Sequence, residues 1–392
     1  MSNVRRIHMS GGEVKDNTQG TLHTWGYNYY GNLGHGGGSG VSGSYANKST
    51  PFQVGSEASP GLWANVWFER YSVITKRADG TLWSWGYNGW GGLGLGHKGD
   101  PSSSPAQVGT FNIANGSTGS GFTHFTKTDG TLWGMGYNGG RLGLNSTATQ
   151  SYSSPVQVGS LSDWGGTTAA NGLYLLVHGG SCTFAIKGNG ELWSWGQNGN
   201  GELGIGTTTH MSSPTQVSSG QTFTTVSGGD NHAGAINSAG SLYTWGANSY
   251  GVIGNGSSGG SYNTPVLMGG GTIWEKLSCG STANYAIRKD GTLWSWGYNS
   301  SGALGQGNGT NYSSPVQVGT ENNWVQVSGG QNWFGAVNSI GELWTCGLGQ
   351  HSRTGQGNTT SISSLTQVGS ETYWLSVTAG HFMGAAMSGA HA

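Results

Sequence analysis

The sequence predicts an all-β chain folded as a seven-bladed β-propeller, and three observations carry that prediction. Short apolar stretches of strand length alternate with glycine-rich turns, one eight-residue phrase recurs seven times, and the chain ends on half of the repeating unit. Glycine supplies 78 of 392 residues and charged residues only 8%, a balance that would also suit a low-complexity tract. The 18 Trp, 16 Tyr and 9 Phe exclude that reading. Disordered chains lack the large apolar side chains that offset conformational entropy on folding.

The recurring phrase is clearest at 79–86 and 290–297, both DGTLWSWG. Variants begin at Gly20, Gly130, Gly190, Gly240 and Gly341, so the leading glycines, with Gly80 and Gly291, step by 60, 50, 60, 50, 51 and 50 residues. A period of that size marks stacked structural units. Within the octet, Leu82 and Ser84 point to one side of a strand and Trp83 and Trp85 to the other. Both sides are apolar or small, so the strand is expected to be covered on both faces, as in a blade between two others. Trp83, Trp85, Trp193, Trp195, Trp294 and Trp296 are accordingly expected to be mostly buried between neighbouring blades. Asp79, Asp129 and Asp290 head the octets, where Asp-Gly suits a hairpin turn.

Upstream of the octet lies a second phrase, as in WVQVSGGQNWFGAVNSIG at 324–341, and Trp63, Trp274 and Trp324 each precede an octet glycine by 17 residues. Downstream come a glycine-rich turn of the type LGLG and an SSPVQVG segment. Each unit thus reads as three or four strands separated by Gly, Asn or Pro turns. Residues 111–130 lack the W..VSGG half, which predicts an irregular first strand in the third unit. The closing segment 373–387, YWLSVTAGHFMGAAM, repeats the upstream half and stops. It is expected to complete the first blade beside 20–26, closing the ring and removing free sheet edges. The whole of 1–392 is expected to be one domain.

The composite pattern W..VSGG..H.GAI...G.L..WG.N..G.LG.G......P..VG resembles the RCC1-like repeat over roughly residues 20–387. The resemblance implies the seven-bladed ring; it does not fix a function, because one scaffold hosts many tasks. The family's founding member is a guanine-nucleotide exchange factor that also docks on nucleosomes, and this chain has no basic tail suited to such partners. The plant ultraviolet-B photoreceptor of the same family carries Gly-Trp-Arg-His runs. Here the matching positions read GDNH at 229–232, GSTA at 280–283 and GQNW at 330–333, so its tryptophan and arginine array is not reproduced.

Chemistry finds little purchase. The formal charge is −1 and the one basic cluster is Arg5-Arg6, too short for a nucleic-acid arm. Cys182, Cys279 and Cys346 form no CxxC pair, so neither a disulfide framework nor a zinc site is expected. The 11 histidines are scattered, and His232 reads as a structural strand-start residue. The glycine-rich loops lack a following GK[ST], which removes a phosphate-loop reading. Asn28, Asn88, Asn138, Asn198, Asn248 and Asn299, each two residues past an octet, read as turn formers. No catalytic residue, no metal and no cofactor is expected, and the chain is read as non-enzymatic.

Two surfaces qualify for a partner. The first is the set just after the VSGG strand: Arg70, Tyr71, Asp230, Asn231, Ser281, Thr282, Gln331, Asn332, His381 and Phe382, which vary from unit to unit inside a constant frame. The second is the outer-loop set carrying Tyr45, Tyr152, Tyr262 and Tyr312 among Gly, Ser and Asn, a palette suited to contact. The partner is expected to be a protein or glycan surface, with no nucleic acid and no membrane insertion. The N-terminus has no apolar signal core and no stretch approaches the length of a membrane span, which predicts cytoplasmic synthesis. The uncharged Gly/Ser/Asn/Thr-rich style suggests a bacteriophage virion surface or tail protein for host recognition, touching other virion proteins. A bacterial module that caps and inhibits an enzyme is the alternative, and an exchange factor a further one.

Overall fold

A computed structural model describes residues 20–36, 46–55, 62–68, 70–164, 175–217 and 220–389. Antiparallel four-stranded blades dominate it, each strand pairing with the next in sequence. Four blades are separate sheets: Leu175–Gly179 to Met211–Gln216, Phe223–Gly228 to Ser261–Leu267, Trp274–Cys279 to Tyr312–Gln317, and Trp324–Gly329 to Ile362–Gln367. These are blades four to seven. The first blade joins the two ends of the chain, in the order Lys48–Gln53, Thr21–Gly26, Met383–Ser388, Trp374–Ala379, with Thr21 opposite Ser388 and Gly26 opposite Met383.

Blades two and three form one seven-stranded sheet, because the 21-residue strand Gly99–Gly119 is both the outer strand of blade two and the inner strand of blade three. This corrects the expectation of an irregular third unit. Ile113 takes the place of the missing tryptophan, and residues 113–119 pair with Phe122–Lys127 through the same early register shift seen after Trp274 and Trp324. No turn is needed there, since the outer strand feeds directly into the next inner one.

Several bonds repeat around the ring. Seven residues at or ahead of the inner-strand positions, Trp63, Ile113, Trp164, Phe223, Trp274, Trp324 and Trp374, each donate a backbone N–H to an octet glycine carbonyl at 2.8–3.1 Å. Around the channel, the Ser227, Ser278 and Ser328 hydroxyls each accept a backbone N–H from the next blade, those of Cys279, Gly329 and Ala379, at 2.9 Å. Blades come this close because the VSGG glycines have no side chain. A Cβ on Gly330 would collide with the Gly380 carbonyl, and one on Gly228 with the Gly179 backbone.

The octet tryptophans are mostly buried, as expected, but divide into two classes that strand alternation did not distinguish. Trp25, Trp85, Trp195, Trp245 and Trp296 are fully buried, and each indole N–H crosses to the preceding blade, as from Trp85 to the Asn32 carbonyl at 3.0 Å and from Trp245 to the Glu202 carbonyl at 2.8 Å. Trp83, Trp193 and Trp294 are only half-buried. Their indoles bond within their own hairpin, Trp83 to the Thr81 hydroxyl at 2.9 Å and Trp294 to that of Thr292 at 2.8 Å. A cation lies over them: the Arg288 guanidinium is 3.4 Å from the Trp294 ring centre and 4.9 Å from that of Trp274.

Candidate functional face

Two kinds of connection share one face of the ring: the turns from first to second strand, and the loops from third to fourth. They are tied together seven times. The residue after each octet (Tyr27, Tyr87, Tyr137, Gln197, Ala247, Tyr298, Leu348) donates its N–H to the last turn residue of its blade (Phe382, Tyr71, Gly121, Ser181, Asn231, Thr282, Asn332) at 2.7–3.2 Å. The buried asparagines that follow hold the loops. The Asn88 amide oxygen accepts from the Leu93 N–H at 3.3 Å and its NH2 donates to the His97 carbonyl at 3.1 Å, and Asn198, Asn248 and Asn299 repeat the clasp. They are turn formers and do not line a ligand ring. The Asp79, Asp129 and Asp290 carboxylates likewise serve their hairpins: hydrogen bonds from the following threonine hydroxyl and N–H hold each below the usual carboxylate range.

The sequence-selected turn residues separate into two groups. Asp230, Ser281 and His381 turn toward the channel mouth, a cavity of about 180 Å³ whose wall includes the VSGG glycines together with Trp67, Phe68 and His178. There His381 Nε2 lies 3.5 Å from Asp230 Oδ1 and 3.4 Å from the Ser281 hydroxyl, so the blade-one turn reaches those of blades five and six. These positions were expected to be free of packing, yet Ser281 and His381 are buried. The backbone N–H groups of Asp230, Ser281 and Gln331 each donate across to the next turn at 3.3 Å. Burial pushes the Asp230 carboxyl upward, but the hydrogen bond and charge of His381, with Arg70 and His232, leave it below its ordinary value.

A histidine, a carboxylate and a serine therefore converge at the channel mouth. Their geometry is nevertheless not that of a nucleophile relay. Hydroxyl and carboxylate both address the same ring nitrogen, whereas a relay needs the carboxylate on Nδ1 and the hydroxyl on Nε2. Farther round the wall, His124 Nδ1 and His178 Nε2 sit 2.9 Å apart, and burial lowers His124 to about 4 and His178 well below its ordinary value. Burial raises the thiols of Cys182, Cys279 and Cys346, the last two to about 12, which leaves them unreactive. Among the described residues no group of three or more His, Cys, Asp or Glu could hold a metal.

The outward group is aromatic. Tyr71 stacks on Phe382 with centroids 5.4 Å apart and planes at 18°, and both touch Tyr27. Tyr30 meets Tyr71 and Tyr87 edge to face, each at 4.9 Å. His351 of blade seven contacts Tyr27 at 4.8 Å, and Trp90 of blade two contacts Tyr137 of blade three at 5.1 Å. Arg70 is exposed beside Tyr71. Asn231 is exposed on the opposite side of the face; Asn332 sits in a left-handed turn, φ 60°, and the Gln331 carbonyl accepts from Arg353 Nη1 at 3.0 Å. Tyr71 and Phe382 thus come together, while Asn231 and Asn332 stay in their own blades.

Tyr152, Tyr262 and Tyr312 belong elsewhere. Each opens or nearly opens an outer strand, opposite the closing glycine of its octet, and they are distributed over blades three, five and six. The Tyr262 and Tyr312 hydroxyls accept hydrogen bonds from Asn255 at 2.8 Å and Asn308 at 3.1 Å, and Tyr152 pairs with Gln150. Tyr45 lies outside the described residues. Among the described residues the recurring tyrosine is therefore a strand residue, whose hydroxyl bonds a side chain of its own blade.

Sequence reasoning missed Tyr27, Tyr30, Tyr87, Trp90 and Arg353. The signal was present in part: the residue after each octet varies as the turn residues do, reading Tyr, Tyr, Tyr, Gln, Ala, Tyr, Leu. Arg353 had none. It is 1% exposed, donates to the Gln331 and His381 carbonyls at 3.0 and 2.9 Å, and lies 5.3 Å from the Phe382 ring centre, locking the blade-seven and blade-one turns. Burial lowers it to about 10, so it stays charged at neutral pH.

A family model for the RCC1-like domain matches residues 15–332. The chain belongs to the RCC1-like domain family. Protein RCC2 of Homo sapiens is 30% identical over 132 residues, a match covering 32% of this chain and 25% of that protein's length. Among solved structures, Prp20p from Saccharomyces cerevisiae, described with its binding properties to Gsp1p and histones, superposes with a TM-score of 0.81 at 16% identity over 98% of this chain and 97% of its own. Human WBSCR16 superposes at 0.80 and 18% identity, covering 94% of this chain and 99% of that one. At those identities the likeness establishes the RCC1-like propeller fold and nothing finer. No helix among the described residues is long and apolar enough to cross a membrane.

Proposed function

We propose that this RCC1-like propeller is a non-enzymatic scaffold that captures a protein partner on the aromatic half of the turn-and-loop face. The observation that carries this reading is the contiguous group Tyr27, Tyr30, Tyr71, Tyr87 and Phe382, linked ring to ring across blades one and two on a hydrogen-bonded frame. Tyrosine, tryptophan and arginine dominate the energetics of protein interfaces, because they contribute large contact areas at small entropic cost. Exposed Arg70 and Trp90 complete that chemistry. Yeast RCC1 (Prp20), which shares the fold, has been solved bound to a protein, Kap60. The shared nitrogen at the channel mouth favours a binder over a hydrolase. A virion or host-glycan role rests on composition alone, and neither the face nor the relatives add to it.

The test is capture from the native source by the immobilised chain. Wild type should retain a discrete protein that Tyr71→Ala loses, with affinity falling about 30-fold for a hot-spot residue, while Asn231→Ala retains it at unchanged melting temperature. Equal retention by both variants overturns the assignment of this half. Recovery of the chain in sedimenting particles, independent of Tyr71, would favour the virion reading instead.

A further inference from the structure

On the face opposite the aromatic half, where the second-to-third-strand hairpins lie, a cleft of about 260 Å³ opens between blades six and seven. Ile287, Trp324 and Val325 supply its apolar wall, and Lys276 of the blade-six inner strand lines it. Lys276 is 5% exposed. Among the described residues its Nζ has no hydrogen-bond or ion-pair partner, and the carboxylate whose charge bears on it is that of adjacent Glu275. The blade-seven counterpart is Gln326, which follows Trp324 through the same register shift that separates Lys276 from Trp274. The Gln326 amide clasps the next blade, donating to the Val377 carbonyl at 2.7 Å and accepting the Val377 N–H at 2.6 Å. An ammonium has donors only, so a lysine cannot repeat that clasp. Burial lowers Lys276 to about 8, against the smaller opposing effect of Glu275, and this leaves a share of free amine near neutral pH.

We propose that Lys276 captures a small aldehyde covalently in this cleft, as a Schiff base. A buried lysine whose amine is free of partners is the nucleophile that such chemistry uses. The Nζ lone pair attacks the carbonyl carbon and the carbonyl π pair moves to oxygen. The resulting carbinolamine then expels water, which carries away both amine protons as the C=N bond forms. No oxidant or reductant is consumed. The same cleft holds Asn323 Oδ1, a buried acceptor without a hydrogen-bond partner among the described residues, which suits the carbinolamine hydroxyl. A second cleft, toward blade five, also reaches Lys276, and across the two the other charged groups are Glu275, Lys289 and Asp290. The apolar wall favours an aldehyde with a short hydrocarbon tail. This site goes beyond the capture of a protein partner and does not depend on it.

The experiment treats the intact protein with propionaldehyde and cyanoborohydride, which reduces the imine to a stable amine, and maps adducts by peptide mass spectrometry. At pH 8 about half of Lys276 is free amine, against under about 1% for an ordinary lysine. Lys276 should therefore be alkylated about tenfold faster than exposed Lys98. The ratio of the two rates should fall as the pH rises past 8, where the Lys276 amine is already formed. Lys276→Gln supplies the side chain that blade seven uses, so it should hold the melting temperature at or above wild type while removing the fast adduct. Alkylation of Lys276 no faster than Lys98, a ratio that stays constant across pH 8, or a fast adduct that survives in Lys276→Gln would each overturn the proposal. Rapid acylation of Lys276 by an N-hydroxysuccinimide ester where the aldehyde gives no adduct would overturn it too. Failure here leaves Tyr71-dependent partner capture standing, because the two sites lie on opposite faces.

Discussion

Blades five and one carry the same frame and display different side chains. In each, a fully buried octet tryptophan bonds the preceding blade, Trp245 to Glu202 and Trp25 to Arg353, and a buried asparagine, Asn248 or Asn28, holds the loop. In each, the residue after the octet donates its N–H to the last residue of the turn, Ala247 to Asn231 and Tyr27 to Phe382. Yet blade five presents Ala247, exposed Asn231 and a lone exposed tyrosine, Tyr250, that meets Tyr298 of blade six, while blade one presents Tyr27, Tyr29, Tyr30 and Phe382 in a ring-to-ring cluster. The difference teaches that stability and recognition are separable here. Backbone atoms make the frame's turn bonds, so the side chains at those positions can vary without disturbing it.

The comparison breaks if the frame is not equivalent in both halves. Trp85→Ala, in the aromatic half, and Trp245→Ala, in the polar half, should each lower unfolding stability by about 3–5 kcal/mol, since each opens a cavity between blades and strands a carbonyl of the preceding blade. Denaturant melts of the two variants check this, and a large cost in one half alone would show that the blades are not interchangeable.

A smaller matched pair sharpens the point. Asn88→Ala and Asn248→Ala each remove a buried clasp and leave a loop N–H unsatisfied, so each should cost about 1–3 kcal/mol. Hydrogen exchange at Leu93 and Ile253 should quicken to a similar extent in the two variants.

The smallest expected effect lies where the halves meet, at Asp230 of blade five and His381 of blade one. The Asp230 carboxyl sits below its ordinary 3.8, so its contribution is complete above that pH and is lost as the pH falls through the lowered folded-state value. Wild type should therefore exceed Asp230→Asn by at most about 1 kcal/mol near neutrality, and the gap should close under acid. Melting temperature against pH for both proteins measures it; a gap that widens below 3.8 would reverse the sign.

How much was legible varies residue by residue. The octet period, the buried asparagines and the Asp-Gly hairpins follow from turn chemistry and strand alternation, which act within a few residues. Alternation put Trp83 and Trp85 on one side of their strand, but only distance from the channel and contact with the preceding blade made one core and the other half-exposed. The recurring outer tyrosines looked like loop contacts because the outer strand starts earlier than its proline suggested, at Tyr312.

Local patterns alone were enough to establish an all-β repeat, seven units, and a terminal half-unit in search of the rest of its blade, because backbone conformation and hydrophobic spacing are short-range properties. Only the tertiary structure decided which variable residues meet. His381 reaches Asp230 and Ser281, Arg353 locks two turns, and Tyr71 finds Phe382 although 311 positions separate them in sequence. The physical reason is the ring itself. It brings equivalent turns of different blades to one channel mouth and its rim, so a site made of one residue per blade has no spacing signature within any single repeat.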